Sequence, residues 1–191
     1  MEERLRKRKK ITSDSPRKSF KREFSAGGVV FRKYQISNDK YQIKWLVTKS
    51  TPSGLVPKSV WRLAKGRLDD ADEGRQSGPL ASGVRKASEE EIQEAALKEV
   101  KEEGGVEAKI VRKIGTERYF FIWQGEKILK FVTFYLMEYI RDLPEGHDEE
   151  TEEVAWLPYE EARKRLSYSG EKKVLDKAKE ILDSGMQENL V

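Results

Sequence analysis

Alternating apolar and polar residues predict strands on both sides of one central helix. In residues 41–50, Ile43, Trp45 and Val47 fall on one side of the chain, with the period of two that is typical of a half-buried strand. The predicted β-prone runs are residues 24–33, 41–50, 59–68, 108–124, 127–140 and 154–157. The connections expected as hairpin loops are residues 34–40 and 124–127.

The central helix is predicted at residues 89–103. Ser88 and Glu91 have the spacing of a capping box ahead of an apolar-periodic run, and Gly104 or Gly105 would end the helix.

Two further helices are expected near the C-terminus, one beginning at about Pro158 and one over residues 170–185. The inward positions of the second helix are Val174, Ala178, Ile181 and Leu182. Strands, one helix, more strands and terminal helices together predict an α/β domain with a mixed sheet.

Composition restricts the class of protein and the chemistry open to it. The 191 residues are 37% hydrophobic and 38% charged, which suits one domain with a tail or an insertion. The absence of cysteine excludes disulfides, Cys-type zinc sites and a thiol nucleophile. The sequence also has no transmembrane-length apolar run and no secretory signal pattern, so a cytoplasmic location is expected. His147, the single histidine, lies in a polar segment and is interpreted as a loop residue.

Basic charge is concentrated in residues 1–23, which carry ten basic and four acidic residues. We interpret this segment as a flexible tail, residues 24–185 as the folded domain and residues 186–191 as a C-terminal tail. The basic segment could bind nucleic acid or another polyanion by neutralising phosphates, or it could simply be solvated.

The segment "LKEVKEEGGV" places Glu99, Glu102 and Glu103 at the end of the central helix, where the helix dipole favours cations. At about 100° per residue, Glu99 and Glu103 continue the apolar face that contains Ile92, and Glu102 lies beside Ala95. Inward carboxylates need neutralisation, either by Lys or Arg from elsewhere in the fold or by a divalent metal such as Mg²⁺ or Mn²⁺.

The same residues match a known pattern. "KGRLD", followed later by "EEIQEAALKEVKEEGGV", resembles the Nudix box, with Gly66 as its leading glycine. Similarity to family segments extends over about residues 24–183. The box positions in register are Glu90, Lys98, Glu99, Val100, Glu102, Glu103, Gly105 and Val106. The resemblance implies an α/β/α sandwich with a mixed sheet, in which the box forms a loop–helix–loop.

The chain departs from the family pattern at two points. Lys98 stands where the family usually has an arginine that pairs with the earlier glutamate, here Glu90; a lysine can form that ion pair but not a bidentate one. Gly66 and Glu90 are also separated by far more residues than the family's five, so residues 70–87 are interpreted as an insertion, either a cap on the site or a surface loop.

The resemblance implies roles for particular residues. Glu99, Glu102 and Glu103 would bind the metal, with the backbone carbonyl of Lys65 or Gly66 completing the shell. A box glutamate or one from a late loop would be the general base. The late-loop candidates are Glu149, Glu150, Glu152 and Glu153.

The substrate implied by the box is a nucleoside diphosphate linked to another group. The flanking segments resemble the branch that hydrolyses dinucleoside polyphosphates or diphosphoinositol polyphosphates, and a substrate such as diadenosine tetraphosphate is expected. Alternatives are a nucleoside triphosphate pyrophosphohydrolase or, in another class, an RNA-associated module that uses the basic tail. The expected substrate contacts are Arg62, Lys65, Gly66 and Lys130, with Tyr119, Phe121 and Trp123 able either to stack on a base or to pack in the core.

Overall fold

A seven-stranded mixed sheet lies between one long helix on one face and two helices on the other. The computed structural model describes residues 20–38, 40–54, 57–71 and 76–188. The sheet strands are β1 (Lys21–Ser37), β2 (Lys40–Ser50), β3 (Trp61–Arg62), β4 (Lys65–Arg67), β7 (Val106–Trp123), β8 (Glu126–Asp142) and β9 (Thr151–Leu157). A separate pair is formed by β5 (Asp70–Ala71) and β6 (Gln76–Ser77). The helices are α1 (Glu89–Gly104), α2 (Tyr159–Arg165) and α3 (Ser169–Glu188).

The strand order is β3-β2-β1-β8-β7, with β4 added to β1 and β9 added to β2. Strands β1 and β8 are parallel, with Phe24 opposite Phe131, and the other pairs in this sheet are antiparallel. The predicted mixed sheet is therefore confirmed.

Two apolar clusters occupy the two faces of the sheet. Val29 and Phe134 belong to the cluster that packs against α2 and α3, whereas Val30 and Tyr135 belong to the cluster that packs against α1. Neighbouring residues of one strand enter different clusters because successive side chains point to opposite faces. This arrangement is the predicted α/β/α sandwich, and the predicted inward residues of α3 all pack in the first cluster.

Both ends of α1 agree with the sequence prediction. Ser88 Oγ accepts from the Glu91 N–H at 3.2 Å, while Glu91 Oε2 accepts from the Ser88 N–H at 2.9 Å. Gly105 ends the helix with φ of 65°, a left-handed conformation that favours glycine, and its N–H donates to the Lys101 carbonyl. The hairpin predicted at residues 124–127 is also present, with β7 ending at Trp123 and β8 beginning at Glu126.

One loop prediction and one strand prediction were wrong. Residues 34–40 do not form a seven-residue loop, because β1 continues to Ser37 and β2 begins at Lys40. Residues 59–68 are not one strand: β3 pairs with β2, and β4 pairs with β1. The chain passes from pairing with β2 to pairing with β1 at Leu63 and Ala64, which are both buried.

The predicted ends of the domain lie close to the observed elements. Strand β1 begins at Lys21, so three residues assigned to the basic tail belong to the sheet, and α3 continues to Glu188. Residues 1–19 of the tail lie outside the described residues, so the proposed binding of the tail to polyanions stays a prediction. Within the described ranges, no helix is long and apolar enough to cross a membrane.

The insertion, residues 70–87, begins with the small β5–β6 pair and returns to α1 beside the first turn of that helix. Asp69 fixes the part of the insertion that runs back towards α1, because the Asp69 carboxylate accepts from the Leu80 N–H at 3.0 Å and the Ala81 N–H at 2.7 Å. Residues 80, 83 and 85–88 line a cavity of about 860 Å³ at the N-terminal end of α1. The glutamates of the box lie at the opposite end of this helix, so the described part of the insertion does not cap them.

Candidate active site

The C-terminal end of α1 meets the short segment that joins β3 to β4. Glu103 is only 2% exposed, and both of its carboxylate oxygens have partners in this segment. The Arg62 guanidinium donates to Oε1 at 2.5 Å, and the Lys65 N–H donates to Oε2 at 2.9 Å. Burial raises the pKa of Glu103, while the charges of Arg62 and Lys65 oppose that rise.

A second buried carboxylate holds the same segment from α3. Glu171 is fully buried; its Oε2 accepts from the Leu63 N–H at 3.0 Å, and its Oε1 lies 2.7 Å from the Lys65 ammonium nitrogen. The charge of Lys65 is therefore already neutralised inside the protein. Arg62 is likewise paired with Glu103, so each of these two cations already has a buried carboxylate partner.

Glu99 lies half-buried against the backbone of Gly66. A Cβ placed on Gly66 would lie 2.2 Å from the Glu99 carboxylate, so only glycine allows this approach. Burial, and then the negative charge of Glu103, raise the pKa of Glu99 to about 8. Glu99 therefore has fewer neighbouring positive charges than Glu103.

The remaining box residues are more exposed. Glu102 is exposed, contrary to the inward position predicted for it beside Ala95, and its Oε2 lies 3.4 Å from the Lys98 ammonium nitrogen. The possible Lys98–Glu90 ion pair is not formed. Within the part of the chain that the structure describes, Lys98 pairs with Glu102, and Glu90 has no ion pair. The one-turn spacing of Lys98 and Glu102 on α1 explains this choice of partner.

The loop after β8 contacts the end of α1 through its backbone. The Leu143 N–H donates to the Gly105 carbonyl at 2.9 Å, and the Asp148 N–H donates to the Glu102 carbonyl at 2.8 Å. These bonds satisfy carbonyl groups that the end of a helix leaves without partners. Burial raises the pKa of Asp148, and the charge of Glu102 adds to the rise.

Of the four late-loop glutamates, Glu150 is the one whose charge acts on the box, where it raises the pKa of both Glu99 and Glu103. Glu152 instead binds Lys49 at 2.9 Å and Ser59 at 2.5 Å. Glu149 and Glu153 are exposed residues on either side of these two. His147 is also exposed, as expected of a loop residue.

Arg62, Lys65 and Gly66 lie beside the box glutamates, whereas the other predicted substrate contacts lie on β7 and β8. Lys130 is paired with Glu23 of the neighbouring strand at 2.8 Å. Tyr119 packs with the core cluster under α3, and its buried hydroxyl has no hydrogen-bond partner among the described residues. Phe121 is half-buried further along β7, towards Trp123, whose ring faces Gly54. Tyr119 is thus mainly a core residue, whereas Phe121 and Trp123 are more accessible to a ligand.

The donor set of this site fits a hard divalent cation. Carboxylates from Glu99, Glu102, Glu103 and Glu150 outnumber the nearby cations, and carboxylate and carbonyl oxygens are the ligands that Mg²⁺ and Mn²⁺ take. In the described ranges, however, no three Asp, Glu or His side chains form a cluster able to hold a metal. Glu103 is directed to Arg62 and Lys65 instead, so the predicted three-glutamate ligand set stays a prediction.

Sequence reasoning missed two residues of this site. Glu171 reads as an ordinary acidic residue in the first turn of a helix, yet Val174, Leu175 and Ala178 follow it at helical spacing, and this pattern would have placed it on the buried face. Asp148 carried no signal, because its contact with α1 is made by the backbone.

Comparisons with known proteins agree with this geometry. Residues 34–178 match the model of the NUDIX domain family. A Mycobacterium tuberculosis protein that is named as mutator protein MutT4 is 28% identical to this chain over 180 residues. The aligned part covers 92% of this chain and 64% of that protein. The chain therefore spans less than two-thirds of the length of this relative.

Solved structures share the fold at low sequence identity. Caenorhabditis elegans Ap4A hydrolase in a binary complex has a TM-score of 0.53 at 19% identity, covering 85% of this chain and 98% of that one. The NUDIX domain of Shewanella oneidensis NrtR, complexed with ADP ribose, has a TM-score of 0.52 at 14% identity. The match covers 89% of this chain and 94% of that one. The three-layer fold and the box helix define a Nudix-type domain. The chain belongs to the NUDIX domain family.

Proposed function

We propose that this protein hydrolyses a phosphoanhydride bond in a nucleoside diphosphate linked to another group, with the help of a divalent cation. The observation that carries the proposal is the half-buried Glu99 carboxyl against Gly66, whose pKa is raised to about 8 by burial and then by the charges of Glu103, Glu102 and Glu150. Such a cluster is stabilised by a cation, and a polyphosphate is a natural second ligand of Mg²⁺.

Each residue has a defined part in this reaction. Glu99 and Glu102, with the Lys65 or Gly66 carbonyl, would hold the cation, which when bound neutralises the polyphosphate and lowers the pKa of a coordinated water. Glu150 would take a proton from the attacking water. The attacked phosphorus gains the water oxygen and loses the bridging oxygen, which leaves with the departing group. Arg62 would contact the phosphate oxygens beside Glu103.

The substrate that we propose is a dinucleoside polyphosphate such as diadenosine tetraphosphate. Phe121 and Trp123 supply accessible aromatic rings on the α3 face of the sheet, where a base could stack. The fold of this chain is also shared with an Ap4A hydrolase. The competing substrates are a nucleoside triphosphate, favoured by the relative named as a mutator protein, and a diphosphoinositol polyphosphate.

The test is a panel of substrates incubated with Mg²⁺ or Mn²⁺ and separated by ion-exchange chromatography. Diadenosine tetraphosphate should give AMP and ATP, whereas a triphosphate pyrophosphohydrolase would release pyrophosphate. Fastest turnover of a nucleoside triphosphate, of ADP-ribose or of diphosphoinositol pentakisphosphate would reject the proposed substrate and keep the proposed chemistry. A protein that cleaves none of them with either metal would refute both.

A further inference from the structure

Glu171 is a buried charge on α3 that has a hydrogen bond and an ion pair with residues 63 and 65, where β3 gives way to β4. It accepts from the Leu63 N–H at 3.0 Å, and it lies 2.7 Å from the Lys65 ammonium nitrogen. A fully buried carboxylate is costly unless hydrogen bonds and a counter-charge compensate for its desolvation. Glu171 is therefore a destabilising choice, in terms of desolvation, at a position where an apolar residue could pack in the surrounding cluster.

The contacts of Glu171 complement those of Glu103. Glu103 comes from α1 and binds Arg62 and the Lys65 N–H, whereas Glu171 comes from α3, on the other face of the sheet. Residues 62–65 are therefore held by one carboxylate from each helix layer. These residues lead directly into Gly66, which packs on Glu99.

We propose that Glu171 is a positioning residue of the active site. Through the Leu63 N–H it fixes the backbone that carries the Lys65 and Gly66 carbonyls, and through the Lys65 ammonium it keeps that cation away from the substrate. Glu171 acts on the reaction through these two residues and does not itself touch the reacting atoms. The inference rests on the proposed function of the same site.

Asp176 provides a matched control on the same helix. It is a carboxylate that joins α3 to α2 through Arg163 at 2.8 Å and the Tyr159 hydroxyl at 2.7 Å, and among the described residues its hydrogen bonds do not include residues 62–65. Glu171→Gln keeps the shape and an oxygen able to accept from Leu63, but it removes the charge that holds Lys65. We expect kcat to fall at least tenfold with KM changed less than threefold, and Asp176→Asn to keep kcat within twofold.

The Lys65 pairing predicts a specific pattern for combined variants. Lys65→Met together with Glu171→Gln should cost no more kcat than the worse of the two single variants, because both remove the same ion pair. Glu171→Ala should cost more than Glu171→Gln, because alanine also leaves the Leu63 N–H without an acceptor. If the fold-losses in kcat of the two single variants multiply in the double variant, the Lys65–Glu171 pairing is contradicted.

Amide hydrogen exchange tests the same inference without turnover. The Leu63 amide should exchange at least tenfold faster in Glu171→Ala than in the parent, and at an unchanged rate in Asp176→Asn. If the parent protein cleaves nothing but this exchange pattern appears, the proposed function fails and the positioning contact stands. If the parent is active and Glu171→Gln matches Asp176→Asn in kcat, the inference is overturned.

Discussion

The carboxylate of Glu99 lies directly against the backbone of Gly66, so that a Cβ on this glycine would lie 2.2 Å from the carboxylate oxygens. Gly66 is the leading glycine of the box, and Glu99 is the first of its three candidate metal ligands. These two parts of the motif, far apart in sequence because of the insertion, are thus in contact in the fold.

Gly66→Ala should therefore displace Glu99 and disrupt the site. We expect kcat/KM to fall by at least about 100-fold, with little change in the free energy of unfolding, because the displaced group is the end of a flexible side chain. Steady-state kinetics and urea unfolding measure the two effects. Gly54→Ala is the control, since a Cβ there would make only an ordinary contact, at 3.8 Å, with Trp123. Equal behaviour of the two variants would refute the close approach.

The raised pKa of Glu99 predicts how stability depends on pH in the metal-free protein. The unfolded chain ionises this group near 4.5, whereas the folded protein resists ionisation until about pH 8. The contribution of the protonated carboxyl to stability is thus fully present below pH 4.5, and it is lost as pH rises from 4.5 to about 8.

Glu99→Gln removes this titration. The variant should gain stability relative to the parent as pH increases across that window, by about 1–3 kcal/mol at pH 8. Urea unfolding in EDTA at several pH values measures the difference. Adding Mg²⁺ should stabilise the parent more than the variant. A stability difference that does not change with pH would contradict the crowding of charges.

Glu103→Gln tests the most deeply buried glutamate of the box. The amide can still accept from the Lys65 N–H, but it leaves Arg62 without its carboxylate partner. We expect kcat to fall about 100-fold with the fold retained, as for the loss of a strong electrostatic contact in an active site. Glu94→Gln, at an exposed position of the same helix, is the control and should leave kcat unchanged. Near-parental turnover of Glu103→Gln would exclude Glu103 from the site.

Glu150→Gln and Glu152→Gln distinguish the candidate bases of the late loop. Both residues are exposed, but the charge of Glu150 acts on Glu99 and Glu103, while Glu152 is occupied by Lys49 and Ser59. If Glu150 is the base, its variant should lose about 100–10,000-fold in kcat, and the acidic limb of the pH–rate profile should change. The Glu152 variant should retain parental kcat. The reverse result would move the base to Glu152.

The sequence predicts α1 and its inward glutamates well, because a capping box, a closing glycine and a period of 3.6 all act within one short segment. The spacing also favours the observed partner of Lys98, because Glu102 lies one helical turn away whereas Glu90 lies about two turns away. Glu171 and the division of residues 59–68 into two strands depend on contacts between distant segments. Local patterns carry little information about such contacts.

Asp69 gives the insertion a closed base. The Gly78 N–H donates to the Asp69 carbonyl, and Asp70 pairs with Ser77. The two ends of the β5–β6 pair therefore meet next to Asp69. We therefore expect changes in length beyond this base to leave Leu68 and Leu80 in place. The hairpin is thus a natural point for grafting a peptide tag or a reporter domain without altering the spacing of the box.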